Sequence, residues 1–328
     1  MKRNKRRMPA EWEPQSAVQL TWPHKDTDWA PILPEITAVY EEMAREISKR
    51  ESLIIVDDIP HNDTWARDHG FITVEETSDL RPQTSDLILL DFKFNGWGEK
   101  FPADLDNQIN KQLFDKGLVK GVYEDHLDFV LEGGSIESDG KGTVFTTACC
   151  LLAPHRNQPL TAQQIEDRLK EYLGAERIVW LHHGSLIGDD TDGHIDTLVR
   201  ICPDDTLLYT GGDEAHPDLY EMEHELQTLR TIEGKPYRLL KLPLPRPIYD
   251  TTAISHQPSA INRLPATYAN YLVINGAVLV PTYNQPDLDQ EAMHVIQQAF
   301  PDREIVGIDC RAVIKQHGSL HCCTMQYY

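Results

Sequence analysis

Short strand patterns and amphipathic helix patterns alternate along the whole chain, and this alternation limits the possible folds more than any other feature. Runs rich in β-branched and aromatic residues occur at 53–56, 87–92, 143–148, 178–181, 196–201, 206–210, 271–281 and 304–309. Helix patterns occur at 34–50, 161–174 and 287–300; the first has Ile36, Tyr40, Met43, Ala44 and Ile47 on one face. The sequence therefore predicts a mixed α/β fold.

The chain shows no internal division. Neither a linker rich in Pro, Ser or Gly nor a low-complexity tract interrupts the 328 residues, so we predict a single domain over 1–328. A pattern of strand, polar turn and second strand occurs in GGSIESDGKGTVFTTACC, GHIDTLVRICPDDTLLYT and YANYLVINGAVLVPTYN. Such self-similarity predicts repeated units packed around a shared centre.

Acidic residues outnumber basic ones. The chain has 52 Asp and Glu against 31 Lys and Arg, a formal net charge of −21 at pH 7. A field of this sign repels nucleic acid and anionic membranes and attracts small cations. No apolar run approaches the roughly eighteen residues of a membrane span, and the basic residues 1–8 lack the apolar stretch of a signal peptide. We expect a cytoplasmic protein with no nucleic-acid and no membrane partner.

The cysteines are expected to be free thiols. They are Cys149, Cys150, Cys202, Cys310, Cys322 and Cys323. No C-x-x-C spacing occurs among them, so neither a disulfide framework nor a zinc knuckle is indicated. For each one, a role as a small buried apolar residue is the simplest alternative to a chemical role.

His194 and Asp196 form the most informative pair of polar residues. They stand two positions apart where the 196–201 strand begins, and two-residue alternation would point both side chains to one face. Asp189, Asp190 and Asp192 precede them, and crowded carboxylates raise one another's pKa unless a cation is present. The cluster predicts a cationic ligand; the alternative is a solvated strand edge.

Cys322 is a candidate nucleophile. It follows Gly318 and His321 in a stretch without a regular apolar pattern. A cysteine attacks only as the thiolate, which needs a nearby positive charge, histidine or hydrogen-bond donor. His321 or a bound cation can stabilise the thiolate. The alternative is that Cys322 is an inert buried thiol.

Asp68 and two tryptophans suggest a site for a flat cation. Asp68 follows Trp65, and an aromatic face beside a carboxylate suits a planar cation, although an ion pair between Arg67 and Asp68 is the alternative. Trp97, between glycines, can wall a pocket or anchor a surface turn. Glu132 precedes two glycines, where the backbone can bend or approach a ligand.

In chain order, the motifs WARD, LEGGSI, DTDGHID and HGSLHCCTMQ resemble those of the Porphyromonas-type peptidyl-arginine deiminase family, and within it the agmatine deiminases. The resemblance extends over nearly the whole chain. It implies a five-bladed, pseudo-symmetric α/β propeller, the pentein fold, in which strand and helix units surround a central site. It also implies hydrolysis of agmatine to N-carbamoylputrescine and ammonia, as in putrescine biosynthesis from arginine.

The same resemblance implies roles for individual residues. Cys322 matches the nucleophile, His194 the general acid and base, Asp68 and Asp196 the carboxylates that hold the guanidinium, and Glu132 the acidic residue of the E-G-G motif. It implies no metal and no organic cofactor, a small cationic substrate, and compatibility with a homo-oligomer.

The far end of the substrate is less defined. We expect Asp190 to meet the distal ammonium of agmatine, and Trp65, Trp97 and Asn270 to line the site. Two departures from the family pattern stand out: Cys323 replaces an apolar residue after the nucleophile, and residues 56–63 form a shorter connection than the family has.

Other functions stay open. Arginine or peptidyl-arginine deimination, or amidino transfer, would use the same cysteine. A divalent-cation binding protein could be built on Asp189, Asp190, Asp192, His194 and Asp196, although the EF-hand spacing is absent and H-x-D does not complete a zinc site. A papain-like hydrolase is disfavoured because its cysteine precedes its histidine, whereas Cys322 comes last.

Overall fold

Strands and helices alternate in the computed structural model, which describes residues 5–78, 81–250 and 263–328. Residues 1–4 of the basic N-terminal segment therefore lie outside the described residues. The strands are β1 (Lys5–Arg7), β2 (Ala17–Thr21), β3 (Ser52–Val56), β4 (Ile72–Ser78), β5 (Arg81–Lys93), β6 (Val122–Val130), β7 (Ile136–Ser138), β8 (Thr143–Thr147), β9 (Arg177–Leu181), β10 (Val199–Cys202), β11 (Thr206–Thr210), β12 (Arg238–Leu242), β13 (Leu272–Ile274), β14 (Ala277–Thr282), β15 (Glu304–Asp309) and β16 (Thr324–Tyr327). The helices are α1 (Leu33–Ser48), α2 (Ala66–His69), α3 (Gly96–Glu99), α4 (Ile109–Asp115), α5 (Ala148–Leu151), α6 (Ala162–Leu173), α7 (Pro217–Thr228) and α8 (Pro286–Ala299).

The strands form five small sheets with one common pattern. The sheets are β16-β2-β3, β4-β5-β6 with β1 beside β4, β7-β8-β9, β10-β11-β12 and β13-β14-β15. In every sheet the first of these pairs is antiparallel and the second is parallel. This repetition confirms the repeated units predicted from the sequence. Within the described ranges each sheet is open, and none closes on itself.

A helix crosses over between the two parallel strands of each sheet, because parallel neighbours cannot be joined by a tight turn. The crossover helices are α1, α4, α6, α7 and α8. The helices predicted at 34–50, 161–174 and 287–300 are confirmed as α1, α6 and α8. The sequence analysis did not predict α4 and α7.

Local signals explain where the predicted helices begin and end. The hydroxyl of Thr161 accepts the N–H of Gln164, and the Gln164 side chain accepts the N–H of Thr161 at 2.8 Å, a capping box ahead of α6. Gly174 ends α6 in the left-handed conformation, with φ of 68°. The apolar face of α1 is buried as predicted, and each such side chain contributes roughly 1.5–3 kcal/mol through burial.

The two ends of the chain meet in one sheet. β16 pairs antiparallel with β2, with Thr324 opposite Leu20 and Tyr327 opposite Ala17. The last strand therefore completes the first sheet and positions the segment that precedes it. The short connection after Val56 runs through residues 57–65 directly into α2. No helix of residues 5–78, 81–250 or 263–328 combines the length and apolar character of a bilayer span.

Residues 271–281 form a hairpin of β13 and β14, as the pattern of strand, polar turn and second strand predicts, and its turn contains Gly276 with φ of 76°. One strand prediction needed correction. The strand predicted at 196–201 begins only at Val199, because residues Ile195–Thr197 form a 3-10 helix.

Candidate active site

The segment before the first strand of each sheet carries a polar residue that the sequence had singled out. These residues are Asp68 in α2 before β4, Glu132 before the 3-10 helix Gly133–Ser135 and β7, His194 and Asp196 before β10, Asn270 before β13, and Cys322 in the 3-10 helix His321–Cys323 before β16. Repetition of the fold thus places them at equivalent positions of five units. All are buried, with at most 6% exposure.

Three of these side chains meet at Gly134. A Cβ on Gly134 would lie 2.6 Å from His194 Nδ1, 3.0 Å from Asp68 Oδ1 and 3.2 Å from Asp196 Oδ2. Only a residue without a side chain leaves that space to the three polar groups. The E-G-G motif therefore provides room as well as a carboxylate.

Asp68 is held by two donors rather than by its neighbour Arg67. Its Oδ2 accepts the indole N–H of Trp97 at 2.9 Å, and its Oδ1 accepts the N–H of Gly134 at 3.1 Å. Arg67 bonds Gln326 instead, so the alternative ion pair is not formed. Burial raises the pKa of Asp68, an effect that nearby His194 partly offsets.

His194 lies among carboxylates. Its Nδ1 is 3.7 Å from Asp68 Oδ1. Burial disfavours the imidazolium, but the charges of Asp68, Glu132 and Asp196 outweigh burial and raise the pKa of His194. Neither ring nitrogen has a hydrogen-bond partner among the described residues, so both are available to a ligand.

Asp196 is kept ionised by His321. Its Oδ2 accepts a hydrogen bond from His321 Nδ1 at 2.7 Å, whereas its buried Oδ1 finds no partner within the described residues. Burial alone would raise the pKa of Asp196, but the hydrogen bond and charge of His321 lower it below its usual value. Asp196 thus presents a free oxygen that can accept an N–H group.

The surroundings of Cys322 disfavour its thiolate in the free protein. Its Sγ lies 3.4 Å from Asn270 Oδ1, while the ring of His321 turns away toward Asp196 and Glu11. Burial, with the charges of Asp196 and Asp68, raises the pKa of Cys322 well above its usual value. Of the two activators considered for this thiol, the geometry therefore favours a bound cation over His321.

An inner cavity of about 210 Å³ opens onto Cys322 and Asp68. We use this term for the space that is also lined by Trp65, Trp97, Phe101, Asp28, Asp63, Asp190, Thr191, Gln316, His317 and Gly318. A Cβ on Gly318 would lie 2.2 Å from the Trp65 ring, so a glycine is needed for this close approach. Trp97, 7% exposed, is a wall of the site and not a surface turn.

The acidic segment 189–192 has positive partners within the protein. Lys100 Nζ donates to Asp190 O at 2.6 Å and to Asp192 Oδ1 at 2.8 Å. Arg156 bonds Asp192 Oδ2 at 3.0 Å, and Asp189 accepts the N–H of Gly193 at 2.7 Å. These contacts leave the carboxyl group of Asp190 to face the inner cavity, where burial raises its pKa to about 6.

The cation site considered in the sequence analysis, which includes Asp189 and Asp192, differs from the group of residues whose geometry could hold a metal ion. Asp189 and Asp192 make the protein contacts just described. Among the described residues, Glu132, Cys150 and His194 could hold an ion, with one atom of each within 4.8 Å of the others. Arg156 Nε already lies 2.8 Å from Glu132 Oε1, so a cation would compete with this buried ion pair.

Sequence reasoning missed several residues that support the site. Arg156 and Lys100 anchor its acidic parts, and Glu11 and Arg200 contact His321 at 3.0 and 3.3 Å. No local pattern marks them, because their partners lie far away along the chain. The predicted residues Trp65, Trp97, Asp190 and Asn270 all lie in or beside the inner cavity.

The fold is shared with a distant hydrolase. A solved dimethylarginine dimethylaminohydrolase aligns over 95% of this chain and 100% of its own, with a TM-score of 0.54 and 11% identity. The sequence model of the Porphyromonas-type peptidyl-arginine deiminases matches residues 7–327. The chain therefore belongs to the Porphyromonas-type peptidyl-arginine deiminase family.

Closer relatives of this chain are named as agmatine or arginine deiminases. The agmatine deiminase of Medicago truncatula is 32% identical, with 97% of this chain and 95% of the relative aligned. A solved agmatine deiminase of C. jejuni with substrate bound is 34% identical, with a TM-score of 0.87 over 99% of this chain and 97% of that chain. A solved Porphyromonas gingivalis protein, provisionally assigned as an arginine deiminase, is 48% identical, with a TM-score of 0.88 over 98% of both chains.

Proposed function

We propose that this protein acts as an agmatine deiminase, hydrolysing agmatine to N-carbamoylputrescine and ammonia in the route from arginine to putrescine. One observation carries the proposal: Cys322, Asp68, His194 and Asp196 surround one small space, in which both ring nitrogens of His194 and Oδ1 of Asp196 have no partner among the described residues. A planar guanidinium, which has N–H donors on all sides, complements such a set.

Asp68 and Asp196 hold the guanidinium in this proposal. Each carboxylate accepts N–H groups from one edge of the plane, and Glu132 adds negative charge behind His194. The central carbon is then oriented toward Cys322 Sγ. Trp65 and Trp97 flank the inner cavity and offer aromatic faces to the cation.

The bound cation activates the thiol. It offsets the charges of Asp68 and Asp196, which together with burial raise the pKa of Cys322. Cys322 loses its proton to solvent as the cation binds, and the thiolate attacks the guanidinium carbon, so that a C–S bond forms. His194, whose protonated form is favoured by its carboxylate neighbours, gives its proton to the departing nitrogen; the C–N bond breaks and ammonia leaves.

Hydrolysis of the amidino-thioether completes the reaction. His194, now neutral, takes a proton from a water molecule, whose oxygen attacks the same carbon. The C–S bond breaks, the sulfur leaves as thiolate, and the ureido product is released. No step in this sequence requires a metal or an organic cofactor.

The lining of the inner cavity favours agmatine over arginine. Beyond Asp68, its walls carry Asp28, Asp63 and Asp190, which attract an ammonium group and repel the α-carboxylate of free arginine. We assign Asp190 as the partner of the distal ammonium, because its carboxyl group faces the cavity while Lys100 binds its main-chain oxygen.

The same proposal covers the whole chain. Five sheets of one pattern, completed by β16 beside β2, support a five-bladed pentein propeller that acts as a single catalytic domain over 1–328. All six cysteines are free, which is in keeping with a reducing compartment, so we place the protein in the cytoplasm.

Steady-state ammonia release tests the proposal. Wild type and Cys322→Ser are assayed with agmatine, free arginine and a blocked arginine peptide, and intact-mass spectrometry is used to detect the covalent adduct. We expect turnover of agmatine by the wild type and loss in Cys322→Ser while Cys323 is retained. If the folded wild type leaves agmatine intact but hydrolyses the peptide, the assignment of agmatine as substrate is wrong and peptidyl-arginine takes its place.

A further inference from the structure

A second, larger cavity adjoins the inner one on the side away from Cys322. This outer cavity has a volume of about 520 Å³ and shares the walls Asp28, Asp63, Trp97 and Phe101 with the inner cavity. Its other walls are His24, Asp26, Thr27, Pro60, His61, Asn62, Pro102, Leu105 and Asp106. A ligand that fills the inner cavity can therefore extend directly into the outer cavity.

The outer cavity is acidic, and one of its carboxyl groups has an unused oxygen. Asp106, 1% exposed, accepts the N–H groups of Asn62 at 2.7 Å and Asp63 at 3.2 Å through Oδ1. Its buried Oδ2 has no partner in the part of the chain that the structure describes. Asp26 and Asp28 are exposed at the same cavity.

The cavity wall holds two imidazoles, His24 and His61, which are outnumbered by its four carboxyl groups. His61 directs its ring nitrogens to the main-chain oxygens of Ile59 at 2.8 Å and Trp22 at 2.9 Å. His24 packs edge-on against His61, and burial with the charge of His61 lowers the pKa of His24. The cavity therefore keeps a negative field suited to a cation.

We propose that the outer cavity is a second cation subsite, which accepts the ammonium end of a guanidino-polyamine longer than agmatine. This inference rests on the proposed function, because the guanidinium of the same molecule occupies the inner cavity. The substrate class is a linear polycation: a guanidinium, a four-carbon spacer, an amine that faces Asp190, and an aminoalkyl extension ending among Asp26, Asp28 and Asp106.

Charge distinguishes this class from a peptide. A peptidyl-arginine would bring main-chain carbonyl oxygens beside the carboxylates of both cavities, which costs free energy unless donors intervene. A protonated polyamine brings only N–H donors and methylene groups, and the rings of Trp97 and Phe101 at the junction suit the methylene groups.

A matched pair of substrates tests the subsite. The wild type is assayed at pH 8 and low salt with agmatine, N-(3-aminopropyl)agmatine and N-propylagmatine; the last two differ only in the terminal ammonium. We expect kcat/KM to be about fivefold to tenfold higher for the aminopropyl compound than for the propyl compound. Added salt should reduce this preference.

In the double variant Asp26→Asn/Asp106→Asn, kcat/KM for the aminopropyl compound should exceed that for the propyl compound by less than twofold. The value of kcat/KM for agmatine should stay unchanged. Glu41→Gln/Asp302→Asn, which alters two exposed acidic residues elsewhere, is the control of equal charge and should keep the preference. The subsite proposal is wrong if the wild type has equal kcat/KM values for the two extended compounds. It is also wrong if the double variant Asp26→Asn/Asp106→Asn keeps the preference for the aminopropyl compound.

A binding measurement separates the two proposals. Calorimetry with Cys322→Ser gives the Kd of each compound without turnover. If agmatine is not hydrolysed by the wild type but the aminopropyl compound binds about tenfold tighter than the propyl compound, the function fails and the subsite stands. If agmatine is hydrolysed and the two Kd values are equal, the subsite alone fails.

Discussion

His321 connects Asp196, at the centre of the candidate active site, to Glu11 near the N-terminus. Its Nδ1 lies 2.7 Å from Asp196 Oδ2, and its Nε2 lies 3.0 Å from Glu11 Oε2. The carboxylate of Asp196 only accepts, so Nδ1 of His321 donates the N–H of this hydrogen bond. Buried Arg200 ion-pairs with Glu11 and with Glu137, so His321 sits in a fixed network of charges.

We predict that His321 positions and ionises Asp196. In His321→Phe, the pKa of Asp196 rises because the donor that offsets burial is gone. Asp196 must be ionised to hold the guanidinium, so the acidic limb of the kcat/KM profile for agmatine should move to higher pH. At pH 7 we expect kcat/KM to fall on the order of 100-fold.

Two further variants test this assignment. His321→Asn keeps an N–H donor near the position of Nδ1 and should recover part of the activity. His294→Phe changes an exposed histidine of α8 and should alter neither the rate nor the profile. If His321→Phe loses activity but its pH profile does not shift, His321 acts only through packing and does not set the pKa of Asp196.

Asp68→Asn should change turnover and thiol reactivity in opposite directions. Loss of the carboxylate removes one edge of the guanidinium site, and kcat/KM for agmatine should fall by about 1000-fold. The same charge contributes to the raised pKa of Cys322, so that pKa should fall. Alkylation of Cys322 by neutral iodoacetamide at pH 8, followed by peptide mass spectrometry, should therefore become faster than in the wild type.

The alkylation of Cys149, which is exposed, provides the internal reference for this experiment. Its rate should be the same in both proteins. A slower reaction of Cys322 in Asp68→Asn, with Cys149 unchanged, would contradict the electrostatic account of the thiol.

The parts of the fold that could be predicted are those fixed by local patterns. The helix α6 has its cap, apolar face and terminal glycine within one stretch of sequence, and the β13-β14 hairpin has its turn between its own strands. By contrast, β16 is a four-residue strand that forms by pairing with β2 at the opposite end of the chain. No window of sequence contains that information.

The sequence predicts residues of the candidate site but not their geometry. His194 and Asp196 were paired by assuming strand alternation, yet Asp196 lies in a 3-10 helix, and the two meet at Gly134 through tertiary packing. The sequence could not decide between His321 and a bound cation as the activator of Cys322, because one partner of His321, Glu11, is 310 positions away. The need for a cation beside Asp192 was recognised, whereas Lys100 and Arg156 could not be foreseen.

Gly134→Ala should abolish activity by sterics alone. The added Cβ would lie 2.6 Å from His194 Nδ1 and 3.0 Å from Asp68 Oδ1, closer than unbonded atoms tolerate. Relief of this contact displaces the side chains of His194 and Asp68, and overpacking of this kind typically costs about 1–3 kcal/mol of stability. We expect agmatine turnover below 1% of wild type with a folded circular dichroism spectrum; activity within twofold of wild type would disprove the convergence at Gly134.

Asp106→Asn should stabilise the protein in alkaline solution. Burial raises the pKa of Asp106 from 3.8 to about 7 in the folded state. The protonated carboxyl group is therefore favoured in the folded protein, and its stabilising contribution is complete below pH 3.8 and lost as the pH rises toward 7. Asparagine carries no charge at any of these pH values and keeps an oxygen that can accept the N–H groups of Asn62 and Asp63.

Urea unfolding at several pH values measures this difference. We expect Asp106→Asn to exceed the wild type by roughly 1–3 kcal/mol in free energy of unfolding at pH 8, with the gain shrinking toward zero near pH 4. Asp302→Asn, in an exposed position, should follow the wild type throughout. A gain for Asp106→Asn that is the same at pH 4 and pH 8 would show that side-chain packing, and not the buried charge, separates the two proteins.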